Sequence, residues 1–491
     1  MGRPRFNDWI VKTTTEINSR HKISLLGIFA PEKFDKKVKH VFNSEDSAAN
    51  DIVDFEEQKS LIGLNWRYLT GQASVLQTSF YQRWTDRLVH VGKAWPTRVP
   101  PVSHADFQTR SLLTQDNMES ELGLRSVFTH VLSPKTTWTA GLEISRNRFD
   151  NQRTQDGLDT LYTYSRQDFR PDPTVRYALR PAEFVNAHFD ANKNLFAAFG
   201  EWSISPISRF TANAGLRYEY SQFNSKSYLS PRLSATFRLN QHTRLNLAAG
   251  LYYQTPNLDI VTASALNEEL DNERAHHFIA GLTRYLHEDL KFTAEAYFKQ
   301  FDNLIVRPDR TQPQRFNTGE GWASGTDFSL IKRFIDKFYG QINYSHALSK
   351  RNDNDSQGSY NADFNQPHIF NVLAGYEFNQ SWAVSAKWRY ATGRPKDAFI
   401  VHADVLNDPN VLRFSQEITA NNTDRLPAFH TFNVRIDSRR QIGRIAFVSF
   451  LDIVNVYNHL NINEARFLEL NGQEDRRGFE ILPTLGVKIE Y

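Results

Sequence analysis

The chain has 491 residues, 40% hydrophobic and 13% aromatic, with no cysteine and a formal net charge of +3. Acids and bases nearly balance, which leaves no nucleic-acid footprint, and no run of eighteen apolar residues exists to make a membrane helix. The length exceeds a usual soluble domain, yet no Pro-rich, Gly/Ser-rich or single-charge stretch divides the chain.

The N-terminus, Met1 to Trp9, lacks the apolar core of a signal peptide. Met1-Gly2 does not make a myristoylation site, because the sixth position is Phe6 instead of Ser or Thr. The middle of the chain then repeats one theme. Phe210, Ala212, Ala214, Leu216, Tyr218 and Tyr220 alternate with Thr211, Asn213, Gly215, Arg217 and Glu219. The same period of two recurs from Leu245 to Tyr253, from Leu290 to Phe298 and from Trp382 to Tyr390. Such alternation is the pattern of a strand with one apolar and one polar face. Aromatics gather near the segment ends, where Tyr218, Tyr220, Tyr253, Trp382 and Tyr390 fit the interfacial girdles of a membrane barrel. Soluble sandwiches and propellers also contain such strands; four clean examples joined by hairpins favour the membrane barrel. The last stretch, Gly478 to Tyr491, is again apolar at every second position and ends on an aromatic ring, Tyr491, with no polar tail.

Connections fall into two classes. Short ones include Ser19-Arg20, Ser205-Pro206, Asn379-Gln380 and Ile442-Gly443; long polar ones include 34–53, 89–117, 151–192, 255–272, 393–425 and 471–477. Barrels of this kind have short periplasmic turns and long external loops. The expectation is an all-β, transmembrane antiparallel barrel occupying 1–491, with about 19 strands. The first strand covers 5–18, and the last two cover 444–470 and 478–491. The first strand then descends from outside and the last ends inside. An odd count with an external N-terminus implies an odd number of strands, and a secretion signal, upstream of Met1. It also leaves one edge of the closing strand unpaired, the other edge resting on 455–470.

Several segments together resemble the TonB-dependent outer-membrane receptors. They are Ser230-Pro-Arg-Leu-Ser-Ala-Thr-Phe-Arg-Leu, Leu247-Ala-Ala-Gly-Leu-Tyr-Tyr-Gln-Thr-Pro256, Leu270-Asp-Asn-Glu-Arg-Ala-His-His277 and Phe316-Asn-Thr-Gly-Glu-Gly-Trp-Ala-Ser-Gly325. Tyr390-Ala-Thr-Gly-Arg-Pro395, Arg425-Leu-Pro-Ala-Phe-His430 and Phe450-Leu-Asp-Ile-Val-Asn-Val-Tyr-Asn458 complete the set. The resemblance covers roughly 200–491 well and the first 200 residues loosely. It implies a barrel of 22 strands around a plugged lumen, so about three strands, a signal peptide, a TonB box and the plug would lie upstream. The implied function is TonB-dependent uptake of a scarce nutrient such as a siderophore, cofactor or glycan, by a fragment not competent alone. The implied partners are outer-membrane lipid, the TonB–ExbB–ExbD complex acting through the plug, the barrel-assembly machinery at the C-terminal strand, and a small-molecule or oligosaccharide ligand. A passive porin-like channel is the alternative, and a structural or adhesive barrel a third.

No catalytic constellation is legible, and no cofactor is expected. P-loop, Rossmann, G-x-S-x-G and H-E-x-x-H patterns are all missing. His276 and His277 are adjacent in a strand and point to opposite faces, so they cannot chelate together. Asn352-Asp-Asn-Asp-Ser356 lacks the Gly and Glu of an EF-hand loop. Arg217, Glu219, Arg244, Glu295, Lys387 and Arg389 fall on the polar face and would line the interior. Ligand selection is expected in the external loops, first in 151–192, where Tyr162, Tyr164, Arg166, Arg170 and Tyr177 mix aromatic and cationic groups. Loops 89–117 and 393–425 come next.

Overall fold

The computed structural model describes residues 3–38, 51–96, 103–155, 158–162, 177–181, 185–257, 260–261, 264–307, 314–355, 357–405, 412–468 and 473–490. The first strands are β1 (Arg3–Phe6), β2 (Trp9–Glu16), β3 (His21–Lys36), β4 (Asp51–Gly71), β5 (Ser74–Pro96), β6 (Phe107–Ser133) and β7 (Thr136–Gln155). A small hairpin, β8 (Leu158–Tyr162) and β9 (Tyr177–Pro181), precedes β10 (Val185–Ile207), β11 (Phe210–Ser221), β12 (Lys226–Arg238) and β13 (Thr243–Gln254). Next come β14 (Glu273–His287), β15 (Leu290–Val306), β16 (Phe316–Ile335), β17 (Phe338–Asn352), β18 (Ser359–Asn361), β19 (His368–Asn379) and β20 (Trp382–Ala391). The last are β21 (Pro395–Val405), β22 (Leu412–Arg425), β23 (Phe429–Ile442), β24 (Ile445–Val454), β25 (Asn461–Leu468), β26 (Gln473–Phe479) and β27 (Leu482–Glu490).

One antiparallel sheet of 21 strands holds all of these except three separate hairpins, β8–β9, β21–β22 and β25–β26. β1 and β2 are two halves of one stave on β3, and β18 and β19 both pair with β17, so the 21 strands form 19 staves. Each stave pairs with its successor in the chain, an up-and-down order in which a period-two sequence needs only short turns to register. The strand count and directions agree with the spacing of apolar residues. Among the described residues, no helix is long and apolar enough to cross a membrane; strands cross by another route.

The two faces differ as the alternation requires. Leu216, Tyr218, Leu233, Leu247, Phe278, Phe298 and Trp382 stand exposed on one face. The opposite face carries Glu143, Arg217, Glu219 and Arg435, which pair with one another or with near neighbours. Five rungs of this polar face set an aromatic ring directly opposite a glycine: Tyr81–Gly123, Phe199–Gly141, Tyr297–Gly325, Tyr339–Gly375 and Phe450–Gly486. In each the ring lies where the glycine's Cβ would be. The ring covers the exposed backbone of the neighbouring stave and fixes its register.

Three expectations need correction. The strand expected over 444–470 ends at Val454, because Asn455 adopts a left-handed conformation (φ 58°) and turns the chain. The closing strand β27 therefore pairs with β24, Ala446 to Val454, and not with 455–470. The segments 89–117 and 151–192 are not wholly loop. β5 runs to Pro96, β6 is 27 residues long and β10 is 23, against the nine to eleven needed to cross a bilayer. These staves run well past the apolar band, where both faces are polar and the alternation that reveals a strand disappears.

Among the described residues, β2 pairs only with β3 and β27 only with β24. Trp9, Ile10, Val11, Leu485, Val487 and Ile489 on these two edge staves are 64–79% exposed.

Candidate functional site

All long connections lie at one end of the sheet, and the hairpins outside it rise from that end. β22 packs against both β9 and β18, and Lys396 of β21 reaches Glu474 of β26 at 2.5 Å. The expected ligand segments 151–192 and 393–425 are thus brought together, through β9 and β22. Tyr162 and Tyr177 form the last backbone rung of the β8–β9 hairpin. Tyr164, Arg166 and Arg170 lie outside the described residues, as does the girdle residue Tyr491.

What holds this end in place is a set of buried asparagines. Among the described residues, Asn267, Asn272, Asn455 and Asn461 are, with Phe149, the largest fully buried side chains, and all of these asparagines but Asn272 are hydrogen-bonded through their carboxamides. A carboxamide has the donor and acceptor of a peptide group, so it can complete a ladder rung where the backbone has turned away. Asn461 accepts from the His430 amide at 2.7 Å and donates to its carbonyl at 2.9 Å. Asn455 does the same to His459, at 3.2 and 2.8 Å, and Asn317 to Asp271, at 2.7 and 3.0 Å. At the base of the β21–β22 hairpin, the side chains of Asn361 and Asn422 each donate to the other's carbonyl, at 3.0 and 2.9 Å. Beside them the Arg425 guanidinium donates to the carbonyls of Asn365 and Gly393 and to Asn365 Oδ1, at 2.7, 3.0 and 3.0 Å. Gly393 is required here, since a Cβ would collide with the Leu426 carbonyl.

An Asn461→Leu substitution keeps the branched outline, with bulkier methyl groups, but strands the His430 N–H and C=O. It should cost about 2–3 kcal/mol and lower the unfolding temperature in detergent, as followed by circular dichroism. An unchanged melting curve would contradict the role given to this amide.

A second anchor lies at the loop end of β12. The Tyr228 hydroxyl donates to Asp271 at 2.6 Å, accepts from Asn224 at 2.6 Å, and Lys226 pairs with the same carboxylate at 3.1 Å. Burial pushes the Tyr228 hydroxyl above its usual range, and the Asp271 carboxylate pushes it further. Burial alone would raise Asp271 too, but the Tyr228 and Lys226 hydrogen bonds outweigh it and hold this carboxyl below the usual range. A depressed carboxylate contributes stability that is complete above its unfolded pKa, about 3.9, and is lost as pH falls through the lower folded value. Hydrogen-exchange protection of 264–272, corrected for intrinsic rates, should therefore persist at neutral pH and fall below about pH 4. Tyr228→Phe should move that loss to higher pH, and an unshifted profile would show that the bond carries no weight.

Below the loop end, the polar face carries the residues expected in the interior. Arg217 bonds Glu143 across two staves at 3.1 Å and Glu219 on its own stave at 2.9 Å. Arg389 lies over the Phe429 ring at 5.4 Å, and Arg435 over Phe450 at 4.0 Å. Of the expected girdle residues, Tyr218 bonds Ser227, Tyr220 and Tyr253 contact Phe196 and Tyr228, Tyr390 contacts Trp388, and Trp382 is half exposed. Among the described residues, no group of three or more His, Asp or Glu is placed to hold a metal ion.

Residues 28–458 match the family model for the TonB dependent receptor-like beta-barrel. The chain belongs to that family. Its members are located in the bacterial outer membrane, and the sheet corresponds to the barrel wall of that family. Among solved structures, the ferric-catecholate import receptor Fiu of Escherichia coli K12 aligns with a TM-score of 0.68 at 10% identity, over 99% of this chain and 75% of that one. The ferripyoverdine receptor of the Pseudomonas aeruginosa outer membrane aligns at 0.69 and 9%, over 100% of this chain and 65% of that one. The FrpB iron transporter of Neisseria meningitidis aligns at 0.63 and 14%, over 99% and 71%. The chain thus spans about two thirds to three quarters of the length of these receptors. No curated protein matches the sequence.

The clamp residues were in view as motif letters without a role. Asp271, Asn317, Gly393, Arg425 and Asn455 all fall inside segments that carry the family resemblance. The signal that marks them is an asparagine or arginine just beyond the end of an alternating run.

Proposed function

We propose that the chain forms the wall and external face of an outer-membrane receptor for TonB-dependent uptake of a scarce nutrient, with an iron chelate the favoured class. The observation that carries this is the convergence of the β8–β9 hairpin with the β21–β22 hairpin, the latter clamped at its base, above a polar interior. A loop assembly held by buried amides presents a preorganised surface, which lowers the ordering cost of capturing a dilute ligand. The iron-related names of the structural neighbours support the choice of ligand class. The aromatic and cationic residues Tyr162, Tyr164, Arg166, Arg170 and Tyr177 are proposed to contact it. TonB would act through a plug, and ligand would pass along the interior lined by Arg217, Glu219, Arg244, Glu295, Lys387 and Arg389.

Uptake of radiolabelled iron chelates by cells expressing the receptor, with and without TonB, tests this. Uptake that needs TonB and falls when Tyr162 and Tyr177 are replaced by alanine is the expected result. Large steady conductance in planar bilayers, with uptake indifferent to TonB, would replace it with a passive channel.

A further inference from the structure

The β21–β22 hairpin is a two-stranded ribbon with unlike sides. On one side β22 packs against β9 and β18. On the other, among the described residues, β21 pairs with β22 alone, and no backbone bond reaches its outer edge. The two strands also differ in chemistry. The β22 stretch Ser415-Gln-Glu-Ile-Thr419 is mainly polar, whereas β21 carries Ala398-Phe-Ile-Val-His-Ala403. The apolar strand is thus the one left without a second neighbour.

Sheet edges that face water are ordinarily blunted by proline, lysine or a bulge, because an open row of N–H and C=O groups invites another strand. In β21 these devices are confined to the base. Pro395 and Lys396 begin the strand, and the register shifts lie between Lys396 and Phe399. From Phe399 to Val405, seven rungs with β22 then run without a break. Ile400 and Val401 point to opposite faces, since side chains alternate along a strand, and both are exposed, by 54% and 38%. The charged groups beside them are engaged. Lys396 pairs with Glu474, Asp397 accepts from the Asn422 backbone amide at 2.9 Å, and His402 bonds Glu417 at 2.8 Å. Asp404 follows only toward the tip. Between Ala398 and Ala403 the edge therefore offers backbone groups and apolar side chains, with no free charge for a ligand to match.

The clamp of Asn361, Asn422 and Arg425 fixes the ribbon at its base, so the edge is presented already ordered. Through β22 and β9 it is also continuous with the capture surface described above. We propose that β21 is a strand-addition site, which takes an extended, uncharged, apolar peptide segment as the third strand of this sheet. Main-chain hydrogen bonds supply the affinity, and Ile400 and Val401 select apolar side chains on the two faces. This activity is separate from chelate uptake and needs neither TonB nor a plug.

The probe is a fluorescein-labelled heptapeptide of alternating threonine and valine, titrated with the full chain in detergent micelles and followed by fluorescence polarisation. A twin peptide, N-methylated on three consecutive residues, keeps the side chains but cannot bond along either edge. The expected result is saturable binding of the plain peptide that weakens about tenfold in the twin and in Ile400→Lys/Val401→Lys, and is retained in Ile400→Val/Val401→Ile. No binding of the plain peptide, or equal binding of the twin, overturns strand addition. Undiminished binding by Ile400→Lys/Val401→Lys, with the heat-modifiable mobility of the folded chain intact, places the peptide elsewhere and overturns the site. The chain has no cysteine, so a disulfide dimer that forms in Val401→Cys and not in Gln416→Cys would make a second copy the occupant and overturn the peptide.

Discussion

Replacing Arg425 by alanine should release the β21–β22 hairpin while leaving the barrel folded. Its guanidinium bonds two carbonyls and one side-chain oxygen at the hairpin base, and Lys396 ties the hairpin sideways to β26 through an ion pair. Hydrogen bonds from a charged donor to partly buried carbonyls make the loss about 3 kcal/mol, or roughly a hundredfold in local opening. Chymotrypsin should then cut within 395–425 at a concentration that spares the parent, while the heat-modifiable mobility of the folded barrel is retained. Uptake of the ligand should fall along with it, since the hairpin meets β9 only when its base is held. Equal protease resistance in the variant would show that the hairpin is held by something other than this clamp. Asn422→Ala should act in the same direction with a smaller effect, because its amide bonds only Asn361 and Asp363.

Substituting Gly141 by valine should block assembly of the wall. The Phe199 ring occupies the space above Gly141, directly opposite in the ladder between β7 and β10. Arg125 in turn lies over that ring at 5.6 Å, so the ring has little room to swing aside. A branched side chain there must displace the ring or separate the staves, an overpacking cost of about 3 kcal/mol. Because β7 and β10 pair over twenty rungs, the damage falls in a long register. Gels run without boiling should show the folded band lost in Gly141→Val and restored in Gly141→Val/Phe199→Ala. A folded band of normal intensity in the single variant would dismiss the ring-over-glycine lock. Failure of the double variant to recover would place the fault in the valine's backbone preference instead.

The staves were legible wherever the two faces meet different solvents. From Phe210 to Tyr220 or from Leu290 to Phe298 one face is apolar and the other polar, so period two is written in the letters. Connection length then assigned an end to each turn, and the count of staves followed. Legibility failed where both faces meet water. The outer ends of β5 and β6, past Leu88 and before Met118, contain stretches such as Gln115-Asp116-Asn117 and look like loop, although backbone pairing continues through them. It failed again past Val454, where the apolar letters Ile453, Val454, Val456 and Tyr457 surround Asn455, whose left-handed conformation ends the strand. The clamp at the ligand end was half visible. Its residues lie in the segments that resemble the family, but nothing local tells a rung-completing amide from a solvated loop asparagine, because the partner is a backbone group tens of residues away.

The amide clamps at the external rim have one further property. Asn317, Asn361, Asn422, Asn455 and Asn461 bond mainly to peptide groups, and none of them can gain or lose a proton or attract a counter-ion. These amide joints are therefore electrically silent, unlike the Arg425 guanidinium, the Asp363 carboxylate that Asn422 meets and the Asp271 anchor beside them. Changes of salinity and acidity leave the Asn317, Asn455 and Asn461 joints unaltered. The segments they carry are free to diversify in charge with no change to the joint on which they turn.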